Sequence, residues 1–167
     1  MINVMIDLET FSTRSNAAIV SIGAVKFEDD KILDTFYCTI DAQTCKAAGL
    51  HIDKDTLAWW AKQSKEARDA LLVDNLTLEV ALNKFTAWYG TKSLPTWGNG
   101  AGFDNVILEN AYLAIGQKRP WLPWDDRCYR TMKNLVDIPI EKREGTYHNA
   151  LDDALTQTKH LIKILGS

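Results

Sequence analysis

Three successive runs of strand-forming residues occupy the first forty positions, and that density restricts the fold more than any other feature. Ile2–Leu8 alternates into an apolar run, and Ile19–Phe27 is rich in β-branched residues around Gly23. Ile32–Ile40 follows the turn-like Glu28-Asp29-Asp30-Lys31, and so short a connection predicts an antiparallel hairpin. The pattern then becomes helical. Asp53–Gln63 carries Leu57, Trp60 and Ala61 at helical spacing with Asp53 as a cap. Thr77–Tyr89 places Val80, Ala81, Leu82, Phe85 and Trp88 on one face and ends at Gly90. A short strand, Leu94–Trp97, precedes Gly98-Asn99-Gly100-Ala101-Gly102, and Phe103–Ile115 is helical up to Gly116. Beyond Arg119–Trp124, which bears Pro and Trp, lies a basic segment, Arg127–Leu135. The last helix, about Asn149–Leu165, is amphipathic through Leu151, Ala154, Leu155, Leu161, Ile162 and Leu165. Strands first, then helices around further strand, predict an α/β or α+β layer with a mixed sheet flanked by helices.

With 167 residues and no internal repeat, low-complexity tract or linker, one domain over 1–167 is expected. A hydrophobic fraction of 46% and a charged fraction of 25% exclude disorder, and three separated cysteines (Cys38, Cys45, Cys128) encode neither a disulfide framework nor a thiolate zinc site. The most apolar run, Ala17–Val25, contains Ser21 and Gly23 and falls far short of the ~18 residues of a membrane span. Asp7 and Glu9 lie where a signal peptide would be apolar, so the expectation is a soluble cytoplasmic protein with no membrane partner. A net charge of −3 argues against coating long duplexes, but it does not exclude gripping one nucleic-acid end through metal ions.

Three clusters carry chemistry. Asp7-Leu8-Glu9 closes the first strand, where residues i and i+2 share a face, so both carboxylates project together. Their repulsion is relieved by a cation between them. Asp104 follows a glycine-rich turn at a strand–helix junction, where backbone can approach a ligand closely. His148-Asn149-Ala150-Leu151-Asp152-Asp153 opens the final helix. Four carboxylates balance two divalent ions, and hard ions such as Mg²⁺ or Mn²⁺ prefer such oxygen ligands. Two ions in one site stabilise the attacking and leaving oxygens of a phosphoryl displacement, and a neutral histidine can take the proton of the attacking water.

These residues strongly resemble the DEDDh 3′–5′ exonucleases, the superfamily of polymerase proofreading subunits, RNase T and oligoribonuclease, on an RNase H-like fold. The resemblance rests on Asp7 and Glu9 in Asp7-Leu8-Glu9-Thr10, Asp104 in Phe103-Asp104-Asn105, and His148 with Asp153, separated by four residues, and it runs from residue 2 to about 160. Asn16-Ala17-Ala18-Ile19-Val20-Ser21-Ile22-Gly23-Ala24-Val25 and Trp97-Gly98-Asn99-Gly100 look most like the phage-type and exonuclease VIII-like branch, which would fit a phage-encoded protein.

The resemblance implies that Asp7, Glu9, Asp104 and Asp153 ligate two Mg²⁺ or Mn²⁺ ions and that His148 is the general base. Helical periodicity alone leaves Asp152 and Asp153 equivalent, so Asp153 rests on family spacing. Thr10 and Phe11 stand where the family holds the terminal nucleotide, by backbone contact and stacking. Phe103 is either a second stacker or core beside its helix. Trp59, Trp60 and Trp88 read as core or helix surface. Lys118–Arg143 holds seven basic and four acidic side chains, interleaved with Trp121, Trp124 and Tyr129. It is either a track for a single strand or a solvated segment over packed aromatics. The implied activity is hydrolysis at 3′ ends, with single-stranded or frayed DNA favoured and RNA or short oligoribonucleotides as the alternative, releasing nucleoside 5′-monophosphates. An inactive nucleic-acid-binding protein on the same fold would be expected to have lost ligands, and all five positions are present. Some relatives pair as homodimers, though no apolar stripe here demands it.

Overall fold

The computed structural model describes residues 1–70, 75–143, 145 and 148–167. Strands β1 (Asn3–Thr10), β2 (Ile19–Glu28) and β3 (Lys31–Thr39) form an antiparallel meander. Helices α1 (Ala42–Ala47), α2 (Lys54–Ala61), α3 (Lys65–Ala70) and α4 (Leu78–Tyr89) follow. The chain then re-enters the sheet as β4 (Thr96–Gly98), crosses through α5 (Asp104–Ala114) to β5 (Asp126–Cys128), and ends in α6 (Tyr129–Asn134) and α7 (Ala150–Leu165). Sheet order is β3-β2-β1-β4-β5, with β4 parallel to β1 and β5 parallel to β4. The mixed sheet and the β2–β3 hairpin agree with the sequence expectation. The basic segment contributes β5 and α6, which its composition did not announce.

Alternation along β1 divides the core. Val4, Ile6 and Leu8 face α4 and α5, packing with Leu82, Phe85, Ile107 and Tyr112. Met5 faces the other way, toward Trp97, Tyr129, Ala154 and Leu161. Asp7 and Glu9 share the parity of Met5, so both carboxylates emerge on the α7 side of the sheet.

The helix starts follow side-chain caps. Asp53 accepts the Asp55 N–H at 2.8 Å, Thr77 the Val80 N–H at 3.3 Å, and Asn149 the Asp152 N–H at 3.1 Å. The apolar face of α4 differs from expectation: Leu78, Ala81, Leu82, Phe85 and Tyr89 are buried, whereas Val80 is 42% exposed. Residues i and i+2 do not share a helix face, so Val80 cannot join Leu78 and Leu82. Leu57 and Leu165 are likewise exposed.

One strand glycine sets the height of α7 above the sheet. A Cβ on Gly23 would lie 2.3 Å from the Ala150 carbonyl carbon and 2.4 Å from the Leu151 nitrogen, both backbone atoms. Gly23 is also the cross-strand partner of Asp7. The first turn of α7 therefore lies directly beside the strand end that bears the acidic pair. Gly23→Ala meets backbone that no rotamer change can clear. It should cost about 3 kcal/mol in urea unfolding, the upper range for overpacking. Gly102→Ala, with nothing within 4 Å of its new methyl, should stay within about 0.5 kcal/mol of wild type. Equal stability of the two variants would show that α7 can retreat from β2.

Candidate active site

The five residues singled out in the sequence line one groove of ≈ 270 Å³: Asp7 and Glu9 from β1, Asp104 from α5, His148, and Asp153 from α7. Each is placed by its own local device. Asp104 opens α5 beside Gly98, where an added Cβ would come within 2.4 Å of Asn105 Oδ1 and 3.1 Å of Asp104 Cβ. Its carboxylate accepts the Leu8 N–H at 3.2 Å and the Asn99 N–H at 3.1 Å, tying β1, the β4 exit and α5 together. Asp153 lies in the first turn of α7, where Arg143 Nη1 hydrogen-bonds its Oδ1. One turn further, Gln157 Nε2 donates to Asp7 Oδ1 at 3.2 Å.

Asp152 points elsewhere. It lines a small depression with Glu141, Lys142 and Gly145, and a Cβ on Gly145 would sit 2.4 Å from its carboxylate. Helix rotation thus separates the adjacent carboxylates, and Asp153 is the one turned into the groove.

The electrostatics are those of a site short of positive charge. Burial raises the Asp7 carboxyl well above the usual range, reinforced by the charges of Asp104 and Asp153. Burial, then Asp7 and Asp153, pushes Glu9 up to about 11. Burial raises Asp104 to about 7 against the opposing pull of the Leu8 and Asn99 N–H groups. Asp7 Oδ2 is buried with no hydrogen-bond partner. One ligand atom each from Glu9, His148 and Asp153 lie within 4.8 Å of one another. A buried orphan oxygen amid hard oxygen donors fits divalent cations.

His148 adopts a left-handed backbone, φ +61°, and its ring meets Trp59 edge-on, with centroids 4.7 Å apart at 80°. Trp60 stands 6.3 Å away and donates its indole N–H to the Thr10 carbonyl at 2.9 Å. The tryptophans are therefore not merely core and helix surface. They form a wall of a second groove of ≈ 520 Å³, which adjoins the carboxylates through the shared residues Leu8, Glu9 and Phe103. That volume is in the range of small-ligand sites. No sequence pattern links Trp59 to His148, since contact between them depends on tertiary packing of α2 against the β1 end.

Of the expected nucleotide-holding residues, Thr10 and Phe103 line this second groove, and the Thr10 hydroxyl donates to the Ser12 carbonyl at 2.6 Å. Phe103 also packs against the main core. Phe11 does not line the groove and packs instead with Val20, Trp60 and Ala67. Part of the basic segment is structural. Arg119 is buried between Glu109 and Asp126, at 3.2 and 3.0 Å, and Trp121 stacks on Tyr89. Tyr129 is buried against His160. Trp124 remains exposed, while Arg130 and Arg143 reach the carboxylate groove.

Among the described residues no helix is long and apolar enough to cross a membrane. No curated protein sequence matches the chain. The nuclease domain of 3′hExo, a DEDDh family member bound to rAMP, superposes with a TM-score of 0.67 at 15% identity, over 99% of this chain and 92% of that one. Exonuclease X in complex with 5′ overhanging duplex DNA gives 0.62 at 18%, over 98% and 91%. E. coli exonuclease I in complex with a dT13 oligonucleotide gives 0.64 at 13%, over 98% of this chain but 40% of that one. These likenesses establish the RNase H-like exonuclease fold. A sequence model of the 3′–5′ exoribonuclease Rv2179c-like domain matches residues 2–165, and the chain belongs to that family.

Proposed function

We propose that residues 1–167 form one exonuclease domain that removes nucleotides singly from the 3′ end of RNA, with Asp7, Glu9, Asp104 and Asp153 holding two divalent ions, Mg²⁺ or Mn²⁺. The convergence of these carboxylates with His148 on one groove carries this reading. The exoribonuclease description of the matching family favours RNA over the DNA expected from the sequence. DNA stays as the second reading, because exonucleases X and I were solved with it.

The ions supply charge stabilisation to the attacking and leaving oxygens of an in-line displacement. The protein supplies the rest. His148 accepts the proton of the attacking water, the new O–P bond forms, and the bond from phosphorus to the preceding nucleotide's O3′ breaks, releasing a nucleoside 5′-monophosphate. Trp59 orients the imidazole edge-on. The exposed face of Trp59 takes the terminal base in the adjoining groove, which Phe103 also lines, while Phe11 packs against Trp60. Thr10 holds that groove's floor through its bond to Ser12.

Matched 5′-labelled RNA and DNA strands with Mg²⁺, Mn²⁺ or EDTA test the proposal. Stepwise shortening from the 3′ end is expected, faster on RNA and abolished by EDTA; cutting of circular single strands would contradict an end-specific site. Loss of a general base typically costs about 10²–10⁴-fold, so His148→Ala should lose that much kcat. Asp153→Asn should abolish turnover and Asp152→Asn should retain most of it. The reverse order would show the wrong carboxylate in the site.

The raised carboxyls also link stability to pH. Between its unfolded value of 4.5 and its folded value of about 11, Glu9 binds more proton when folded, so its contribution to stability falls as pH rises. In EDTA, Glu9→Gln should therefore gain melting temperature relative to wild type from pH 5 to pH 8. Saturating Mn²⁺ should close or reverse that gap, because the wild-type site gains more from the ion. A gap independent of pH in EDTA would contradict the charge-starved cluster.

A further inference from the structure

The four clustered carboxylates are not partnered alike. Asp104 accepts two backbone N–H groups and Asp7 accepts the Gln157 amide, all neutral donors. Asp153 instead carries an ion pair with Arg143, and both side chains are largely enclosed, at 12% and 19% exposure. The same guanidinium favours ionisation of Asp7. Arg143 thus places a permanent positive charge among the oxygens that a divalent cation would need, since a guanidinium does not deprotonate in proteins.

We propose that Arg143 is the resident counter-ion of the cation-free site and is exchanged on loading: divalent ions take Asp153 from it, and the freed guanidinium turns to the phosphate of the 3′-terminal nucleotide. This rests on the reading that the four carboxylates hold divalent ions. Charge drives both halves of the exchange. Four carboxylates and two divalent ions sum to −4 + 4 = 0, so a guanidinium left beside them is no longer attracted to the cluster and is repelled by the ions. It still lines the groove, where its planar fork matches two phosphate oxygens. The groove becomes net positive only when loaded, so tight binding of the polyanion waits on the ions that hydrolysis requires.

Calorimetric titration with Mn²⁺ in the absence of nucleic acid, followed by titration with AMP at saturating Mn²⁺, tests the exchange without an activity readout. Arg143→Gln should bind Mn²⁺ about tenfold more tightly than wild type, the scale of one charge-assisted hydrogen bond removed from a competitor. It should bind AMP about tenfold more weakly once loaded. Arg143→Lys, which keeps a cation without the planar fork, should fall between the two on Mn²⁺ and stay weak on AMP. Unchanged or weaker Mn²⁺ binding by Arg143→Gln would overturn the exchange, as would unchanged AMP binding. Asp153→Asn separates this failure from a deeper one. If it binds Mn²⁺ as wild type does, the carboxylate reading itself is wrong; if it loses Mn²⁺ while Arg143→Gln equals wild type, only the exchange is wrong.

Discussion

Because Gly23 has no side chain, the first turn of α7 rests on the backbone of β2 directly across from Asp7. A methyl group at that position would lift the helix and carry Asp153 away from Asp7 and Glu9. The glycine-lined exit of β4 does the same for α5, bringing Asp104 against the backbone of Leu8. Two helix N-termini are thus pressed onto the end of one strand. At α7 the close contact is between backbones, whereas at α5 Gly98 clears the side chains of Asp104 and Asn105, and hydrogen bonds from Leu8 and Asn99 to the Asp104 carboxylate fix its place.

That spacing has a cost. Burial raises the carboxyls of Asp7, Glu9 and Asp104, neighbouring carboxylates raise the first two further, and Asp7 Oδ2 is left without a donor. An interior selected only for stability would pair such groups or replace them. Under the proposed function, divalent cations would offset this repulsion, so the same contacts that crowd the carboxylates would prepare the groove for phosphoryl transfer. Arg143 offsets part of this strain at Asp153.

Much of this was legible in the sequence because it depends on short-range periodicity. The two-residue period of a strand puts Asp7 and Glu9 on one face, and Asp53, Thr77 and Asn149 announce the helices they cap. Elements of three to six residues, such as β5, α1 and α3, are too short to show a period. Partnerships across long sequence separations were also hidden. Trp59 and Trp60 are adjacent in α2, yet one meets His148 from the groove side while the other hydrogen-bonds Thr10. Within the basic stretch, the enclosed Arg119 side chain is paired with Glu109, a residue 40% exposed that lies outside the stretch. Gly23 lies in the string that looked most like the phage-type and exonuclease VIII-like branch, and in the structure it admits the helix lying on it.

The central claim is the proposal that these contacts assemble Asp7, Glu9, Asp104 and Asp153 into a site for two cations. Anomalous diffraction from crystals grown with Mn²⁺ and AMP measures it directly. Two manganese peaks bounded by Asp7, Glu9, Asp104 and Asp153 are the expected result. No peak among those four residues, or manganese bound instead at Asp152 and Glu141, would contradict it.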